Sequence, residues 1–222
     1  MLDDRLNAIL HLIAPCKVLA DVGTDHAYIP LEALKQGLCA FAYAADIKPG
    51  PLKHAQDTFA GSGLEEQVRF VVCDGISTLP DPLDAVVIAG LGAETILQII
   101  RNDVDRFKAI PQIILQANKD VHLLRKTMLE LGFDIVDEEI AFLKHYYVAV
   151  KFMPQDEIKS YSAFELKYGP ILLAKREDRL ISYLHLRFEQ LRSLAKHITA
   201  SSRRSAFLDE AEEIRFYLDK EN

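Results

Sequence analysis

Five short runs of nearly unbroken apolar residues recur through the first half of the chain: "KVLADVG" (17–23), "FAYAADI" (41–47), "VRFVVCDG" (68–75), "DAVVIAG" (84–90) and "PQIILQAN" (111–118). A run without polar alternation suits a strand covered on both faces, as in a parallel sheet. The stretches between them, 26–36, 50–62, 92–102 and 120–131, are long enough for crossover helices. Pro49 and Pro51 bracket the start of the second, Gly61 and Gly63 stop it, and Gly132 stops the last. Strand and helix alternating in this way predict a doubly wound α/β sheet with right-handed crossovers.

The pattern changes after residue 132. "FDIVDEEIAFL" (133–143) and "HYYVAVKFM" (145–153) are two strand-like runs with about one residue between them. No helix fits that gap, so the two form a hairpin and one strand is antiparallel. A mostly parallel sheet that closes on a hairpin points to methyltransferases using S-adenosylmethionine. Dehydrogenase-type sheets usually finish on another βα unit.

Ligands of such sheets lie beyond the carboxyl ends of the strands, where strand order reverses. The first run leads into "DVGTDHAYIP", with Asp21, Gly23, Thr24, Asp25 and His26 where a dinucleotide-binding loop would have small residues. Gly23 admits a ligand close to the backbone, and the helix start that follows offers unpaired N–H groups. Asp25 would repel a pyrophosphate but suits a ligand carrying a sulfonium and an ammonium. This disfavours NAD and nucleotide-sugar enzymes. Asp46 ends the second run at the spacing from Gly23 expected of a ribose-binding carboxylate, with Ile47 beside it. Asp74 and Gly75, ending the third, suit an adenine amino group and a tight turn. Gly90 and Gly92 fall where substrate base and transferred methyl should meet.

Charge divides the chain. Residues 1–150 hold 13 Lys and Arg against 21 Asp and Glu, whereas residues 151–222 hold 13 against 12. The polar stretch "FMPQDEIKSYS" marks the change, so domains are expected at 1–155 and 156–222. In the second, Leu180, Leu184, Leu191, Leu194 and Ile198 form one apolar stripe and Phe207, Ala211, Ile214 and Leu218 another. With "TASSRRS" as the turn between them, they predict an antiparallel helical hairpin. Its basic residues Arg179, Arg187, Arg192, Lys196, Arg203 and Arg204 are candidates for phosphate contacts. No aromatic platform for single-stranded RNA is evident.

Other classes recede. Cys16, Cys39 and Cys73 lack metal-ligand spacing and read as reduced thiols of a cytoplasmic protein, with no metal expected. No run of about eighteen apolar residues calls for a membrane. The N-terminal "MLDDRLNAILHLI" is amphipathic and acidic, unlike a signal peptide. The sequence does not settle oligomeric state.

With these residues assembled, the chain resembles the bacterial TrmK family of tRNA (adenine-N1)-methyltransferases, which modify adenine 22. The segments that carry the resemblance are "DVGTDHAYIP", "AADIKPGPL" (44–52), "VVCDG" (71–75), "VIAGLGAETI" (87–96), "IILQANKDVHLLRKTMLELGF" (113–133) and "FELKYGPILL" (164–173), in the family's order. The resemblance implies a class I, Rossmann-like methyltransferase domain with a seven-stranded sheet, followed by a small coiled-coil-like helical domain. It implies S-adenosylmethionine as cofactor and tRNA as partner. Asp21, Gly23, Thr24, Asp25 and His26 would line the methionine end, Asp46 would hold the ribose, and Asp74 and Gly75 the adenine. Ala89, Gly90 and Leu91 would border the target-base pocket. Asp25, His26, Tyr28 and Asn118 are the candidates closest to the chemistry, with no general base required. The family commonly has a glycine where Ala93 stands and a proline where Ala117 stands, and its acid-rich turn before the last strand is replaced by "LKHYY". Two other readings stay open: a methyltransferase of this fold acting on a non-RNA substrate, and a non-catalytic module binding S-adenosylmethionine or RNA.

Overall fold

Seven strands form one sheet in the computed structural model, which describes residues 2–157, 159–198 and 201–220. In chain order they are β1 (Cys16–Val22), β2 (Cys39–Asp46), β3 (Val68–Val72), β4 (Ala85–Leu91), β5 (Gln112–Ala117), β6 (Phe133–Phe142) and β7 (Tyr146–Pro154). Across the sheet the order is β3-β2-β1-β4-β5-β7-β6. The first five pair in parallel, and β7 runs antiparallel to both its neighbours, β5 and β6. The mostly parallel sheet with a terminal hairpin is therefore present. The hairpin folds back so that its second strand, rather than its first, joins β5.

Helices α1 (Asp4–Leu12), α2 (Tyr28–Lys35), α3 (Pro49–Phe59), α4 (Ala93–Asn102), α5 (Val104–Phe107) and α6 (Val121–Glu130) accompany the sheet. The apolar runs are unbroken because both faces of the central strands are covered. Leu19 and Ala20 of β1, Val86 to Ile88 of β4 and Ile113 to Leu115 of β5 have no exposed surface. The N-terminal amphipathic stretch is α1: Asp3 caps it by accepting from the Leu6 amide at 2.9 Å, and its buried face packs on β6 and β7. Strand order reverses between β1 and β4, so the crevice for a ligand lies beyond their carboxyl ends.

One buried ion pair ties α6 to β6. Arg125 Nε donates to Glu138 Oε1 at 2.6 Å, with both side chains fully buried. Such a pair loses solvation on both sides, and its two members depend on each other.

The chain divides into two compact units, Met1–Ser162 and Ala163–Asn222. The break falls after Ser162 rather than near residue 155. Lys159 and Tyr161 reach Asp134 on β6, at 3.3 and 3.2 Å, and so hold this segment to the first unit.

The second unit comprises α7 (Ala163–Tyr168), α8 (Pro170–Lys175), α9 (Asp178–His197) and α10 (Ser201–Asp219). The pairing of Arg187 with Glu210 and of Arg176 with the Tyr217 carbonyl makes α9 and α10 antiparallel. Leu180, Leu184 and Leu191 are buried as expected, but Leu194 is 46% exposed and Ala195 takes the inward place four residues after Leu191. Ala211 and Ile214 are buried, while Ile198, Phe207 and Leu218 are half-buried. The second helix begins inside the expected turn "TASSRRS". Nothing in "SSRRS" breaks a helix, so α10 already begins at Ser201 and carries Arg203 and Arg204 in its first turn. Thr199 and Ala200 lie outside the described residues.

Glu210 is the polar centre of this unit. Its carboxylate accepts from Tyr168 at 2.6 Å and from Arg187 at 3.0 Å, and it pairs with Lys167 at 2.6 Å. Burial alone would raise its pKa, but hydrogen bonds from Lys167 and Tyr168 and the charges of Arg187 and Lys167 outweigh it and hold the carboxyl below the usual range. No helix among the described residues is long and apolar enough to cross a membrane.

Replacing Glu138 with Ala should destabilise the protein by about 3–5 kcal/mol, because Arg125 is left buried without its carboxylate. Urea unfolding checks this; a loss below about 1 kcal/mol would show that the pair does not anchor α6.

Candidate active site

A cavity of about 410 Å³ opens at the carboxyl ends of β1 and β4, a volume in the range of small-molecule pockets. The end of β1 supplies Asp21 to its lining, the loop after it Gly23, Thr24, Asp25 and His26, and β4 Ala89, Gly90 and Leu91. Asp3, Arg5 and Leu6 reach it from the N-terminal segment.

The loop is held by backbone bonds to the neighbouring strand. The Gly23 and Thr24 amides donate to the Ala45 carbonyl at 2.8 and 3.1 Å, and the Thr24 hydroxyl accepts from the Ala27 amide at 3.0 Å. Gly23 adopts φ +76°, and a Cβ there would come within 3.3 Å of Leu91, so the turn and the approach to β4 both call for glycine. Ala27 takes a left-handed conformation, so α2 begins only at Tyr28. His26, expected on the helix, lies in the loop. It is exposed, as are Asp25 and Tyr28.

Three rings stack beside the cavity. His26 is 5.3 Å from Tyr28 on one side and 5.3 Å from His54 of α3 on the other, each pair within 17° of parallel. Asp25 closes the group, 3.4 Å from His26 Nε2 and 3.4 Å from His54 Nδ1. One donor atom each from Asp25, His26 and His54 falls within 4.8 Å of the others, in an exposed setting.

Asp46 and Asp74 stand at the ends of β2 and β3. Asp46 accepts from the Lys48 amide at 2.8 Å, which orients its carboxylate and leaves its second oxygen for a ligand. Asp74 is exposed, and Gly75 follows at φ +61°. A Cβ on Gly75 would meet the Ile99 side chain at 3.0 Å, which, with the positive φ, disfavours a larger residue at this turn. Ile47 and Val72 lie beside these acids with 61% and 56% of their surface exposed. Two apolar side chains uncovered next to two carboxylates form a place for a flat heterocycle with polar edges.

Gly90 is pinned from β5. Its amide donates to the buried Gln116 at 3.1 Å, and its carbonyl accepts from Asn118 Nδ2 at 2.6 Å. Asn118 thus positions the β4 edge and is not part of the cavity lining, unlike Asp25, His26 and Tyr28, with which sequence grouped it. Ala93 starts α4 and Ala117 ends β5, both buried and accommodated without a break in either element.

Sequence reasoning overlooked Asp3, Arg5, Leu6, His54 and Gln116. Only α1 had a readable signal, its amphipathic pattern; the others acquire a role through tertiary proximity alone.

The cavity is acidic. Asp21 is 5% exposed, and burial, with a further push from Asp46, raises its carboxyl pKa to about 6 despite a hydrogen bond from Thr24. An ionised carboxylate held there at neutral pH costs stability, which a cationic ligand group offsets.

Of the basic candidates in the helical unit, Arg187 is half-buried and already paired with Glu210. Arg179 is exposed near the start of α9. Arg192 and Lys196, one turn apart at the end of α9, join Arg203 and Arg204 at the loop end of the antiparallel pair, all exposed.

The sheet, its closing hairpin and a cavity at the strand reversal define the class: the chain belongs to the methyltransferase-domain family, whose model matches residues 2–150. More particularly, the chain is similar in structure to TrmK. Mycoplasma capricolum TrmK, solved with S-adenosyl-homocysteine, is 28% identical and matches with a TM-score of 0.83 over 99% of this chain and 98% of that one. A Streptococcus agalactiae protein of the NADB-Rossmann superfamily is 27% identical and matches at 0.89 over 99% and 98%. By sequence, the Bacillus subtilis tRNA (adenine(22)-N(1))-methyltransferase is 30% identical over 140 residues, which are 63% of this chain and 59% of that protein.

Asp21→Asn should stabilise the empty protein at pH 7.5 by about 1–3 kcal/mol. The wild-type carboxyl titrates near 6 when folded and near 3.8 when unfolded, so its penalty is full above pH 6 and fades as pH falls towards 4. Urea unfolding at pH 7.5 and pH 4 checks this; an equal difference at both would detach the effect from ionisation.

Proposed function

We propose that the protein transfers the methyl group of S-adenosylmethionine to N1 of adenine 22 in tRNA, in the cytoplasm. The observation that carries this reading is the acid-lined cavity uniting the β1 loop with the end of β4. Full-length likeness to TrmK, whose solved structure holds the reaction's cofactor product, supports the choice of cofactor and substrate.

The residues suit the cofactor. Asp21 and Asp25, in the cavity lining, would answer the charge of an ammonium and a sulfonium, and Arg5 that of a carboxylate. Asp46, outside that lining and oriented by the Lys48 amide, would take the ribose hydroxyls. Ile47 and Val72 offer apolar cover to the adenine, with Asp74 and Gly75 at its edge. Bound there, S-adenosylmethionine would supply an electrophilic methyl group, with its sulfur as the leaving atom.

Adenine N1 carries a free lone pair at neutral pH, so the protein need not remove a proton first. Its contribution is position and charge. The β4 edge, Ala89 to Leu91, aligns the base for in-line attack, with Gln116 and Asn118 fixing Gly90. Asp25, held between His26 and His54, faces the cationic ring that methylation creates, and Tyr28 offers a ring for the base to stack on. Reaching N1 within folded tRNA requires the nucleotide to leave its stack, at a cost of a few kcal/mol. The exposed basic loop end of the helical unit, Arg192, Lys196, Arg203 and Arg204, supplies phosphate contacts for that purpose.

Methyl transfer from labelled S-adenosylmethionine to unmodified tRNA, with the modified nucleotide mapped, tests the reading. Label at adenine 22 that disappears when this base is changed is expected; no transfer by protein that binds both partners would sink it. Asp46→Ala should weaken cofactor binding at least tenfold by calorimetry, and unchanged affinity would remove Asp46 from the ribose site. Arg192→Glu with Lys196→Glu should weaken tRNA binding and flatten its salt dependence while sparing the cofactor. Unaltered salt dependence would leave these side chains merely solvated.

A further inference from the structure

We infer that the tip of the β6–β7 hairpin, Phe142 to Tyr146, is a second RNA contact on which an unpaired base of the substrate stacks. The inference rests on the RNA reading above and adds to it an element outside the cavity and outside the helical unit.

Register places the tip. The last pairing of β7 with β5 is Ala149 with Gln116, yet β6 and β7 remain paired through Ile140–Val148, Ala141–Tyr147 and Phe142–Tyr146. Three residue pairs therefore extend about 10 Å beyond the last β5–β7 pairing. Because β6 runs parallel to the five central strands, the overhang projects on their carboxyl side, the side of the cavity. Arg5 links the two places. It lines the cavity, and its guanidinium lies 5.8 Å from the centre of the Tyr147 ring.

Exposure shows that the tip is not packed like the rest of the sheet. Among the described residues of the first unit, the exposed large apolar or aromatic side chains are Tyr28, Ile47, Val72, Phe142 and Leu143, all at the carboxyl edge. The first three belong to the cavity and its adenine side. Phe142, at 47% exposed, and Leu143, at 39%, are left over. Phe142 leans on Tyr146 with ring centres 4.8 Å apart, so the aromatic surface is braced from within the hairpin.

Charge selects the partner. Lys144 and His145 are exposed at the turn, and no acidic residue occurs from 140 to 155 in a unit that otherwise carries an acidic excess. Lys144 makes no ion pair among the described residues. Braced aromatic rings interleaved with basic side chains fit bases and phosphates together, which sequence alone did not disclose because the rings become one surface only when the hairpin pairs Phe142 with Tyr146.

The test uses the full chain and an unmodified tRNA transcript. Phe142→Ser with Lys144→Glu should weaken tRNA binding about fivefold or more and raise KM for tRNA, with cofactor affinity and melting temperature unchanged. Phe142→Trp, which keeps a stacking face, should retain wild-type affinity. Equal tRNA binding by the double variant and the wild type would overturn the inference. So would lost cofactor affinity or a lowered melting temperature that accounts for the tRNA defect. Unchanged tRNA affinity with altered self-association in sedimentation would assign the tip to a second copy of the chain instead. A wild-type protein that binds cofactor but neither binds nor methylates tRNA would overturn the RNA reading itself, and this inference with it.

Discussion

The β5, β7 and β6 side of the sheet depends on one strand running against the others. β7 is bonded along both edges, to β5 and to β6, and so cannot slide without breaking two ladders at once. Its position fixes how far the hairpin projects, gives α1 a surface to pack on, and closes β5 into a fully covered strand. The Arg125–Glu138 pair holds α6 to the outer member of the same hairpin. A slip of one residue would turn the buried face of β7 to solvent.

Chemistry is concentrated where the parallel strands end. Each central strand delivers one short device there: a glycine turn after β1, an oriented carboxylate after β2, an acid and tight glycine turn after β3, and a backbone edge after β4. None of these is catalytic alone. The sheet brings them together by presenting them at one level, and Gln116 and Asn118 stiffen the β4 edge at Gly90. This division suits a reaction whose nucleophile is already a lone pair and whose barrier is lowered by placement.

The strands and their order of use were legible in the sequence because burial on both faces leaves unbroken apolar runs, and the terminal hairpin because no helix fits its gap. The cavity residues after β1 and on β4 were legible from their place in that alternation. Fine helical phase was less so: Leu194 and Ala195 compete for one inward position, and only the packing of α9 against α10 puts the smaller residue inside. Arg187 looked like its basic neighbours until Glu210, far along the chain, was seen to hold it. His54 carries no local mark at all and Arg5 only the amphipathic pattern of its helix, since their proximity to the site is created by α3 and α1 folding towards it.

Asp21 gives the molecule a different economy when empty and when filled. A carboxylate sunk at the end of β1 opposes folding at neutral pH until a cation answers it. Ligand binding therefore raises stability through its contacts and also by relieving that opposition. In a cell, where opened chains are cleared by proteases, a cationic ligand that relieved this opposition would also raise the standing amount of the protein.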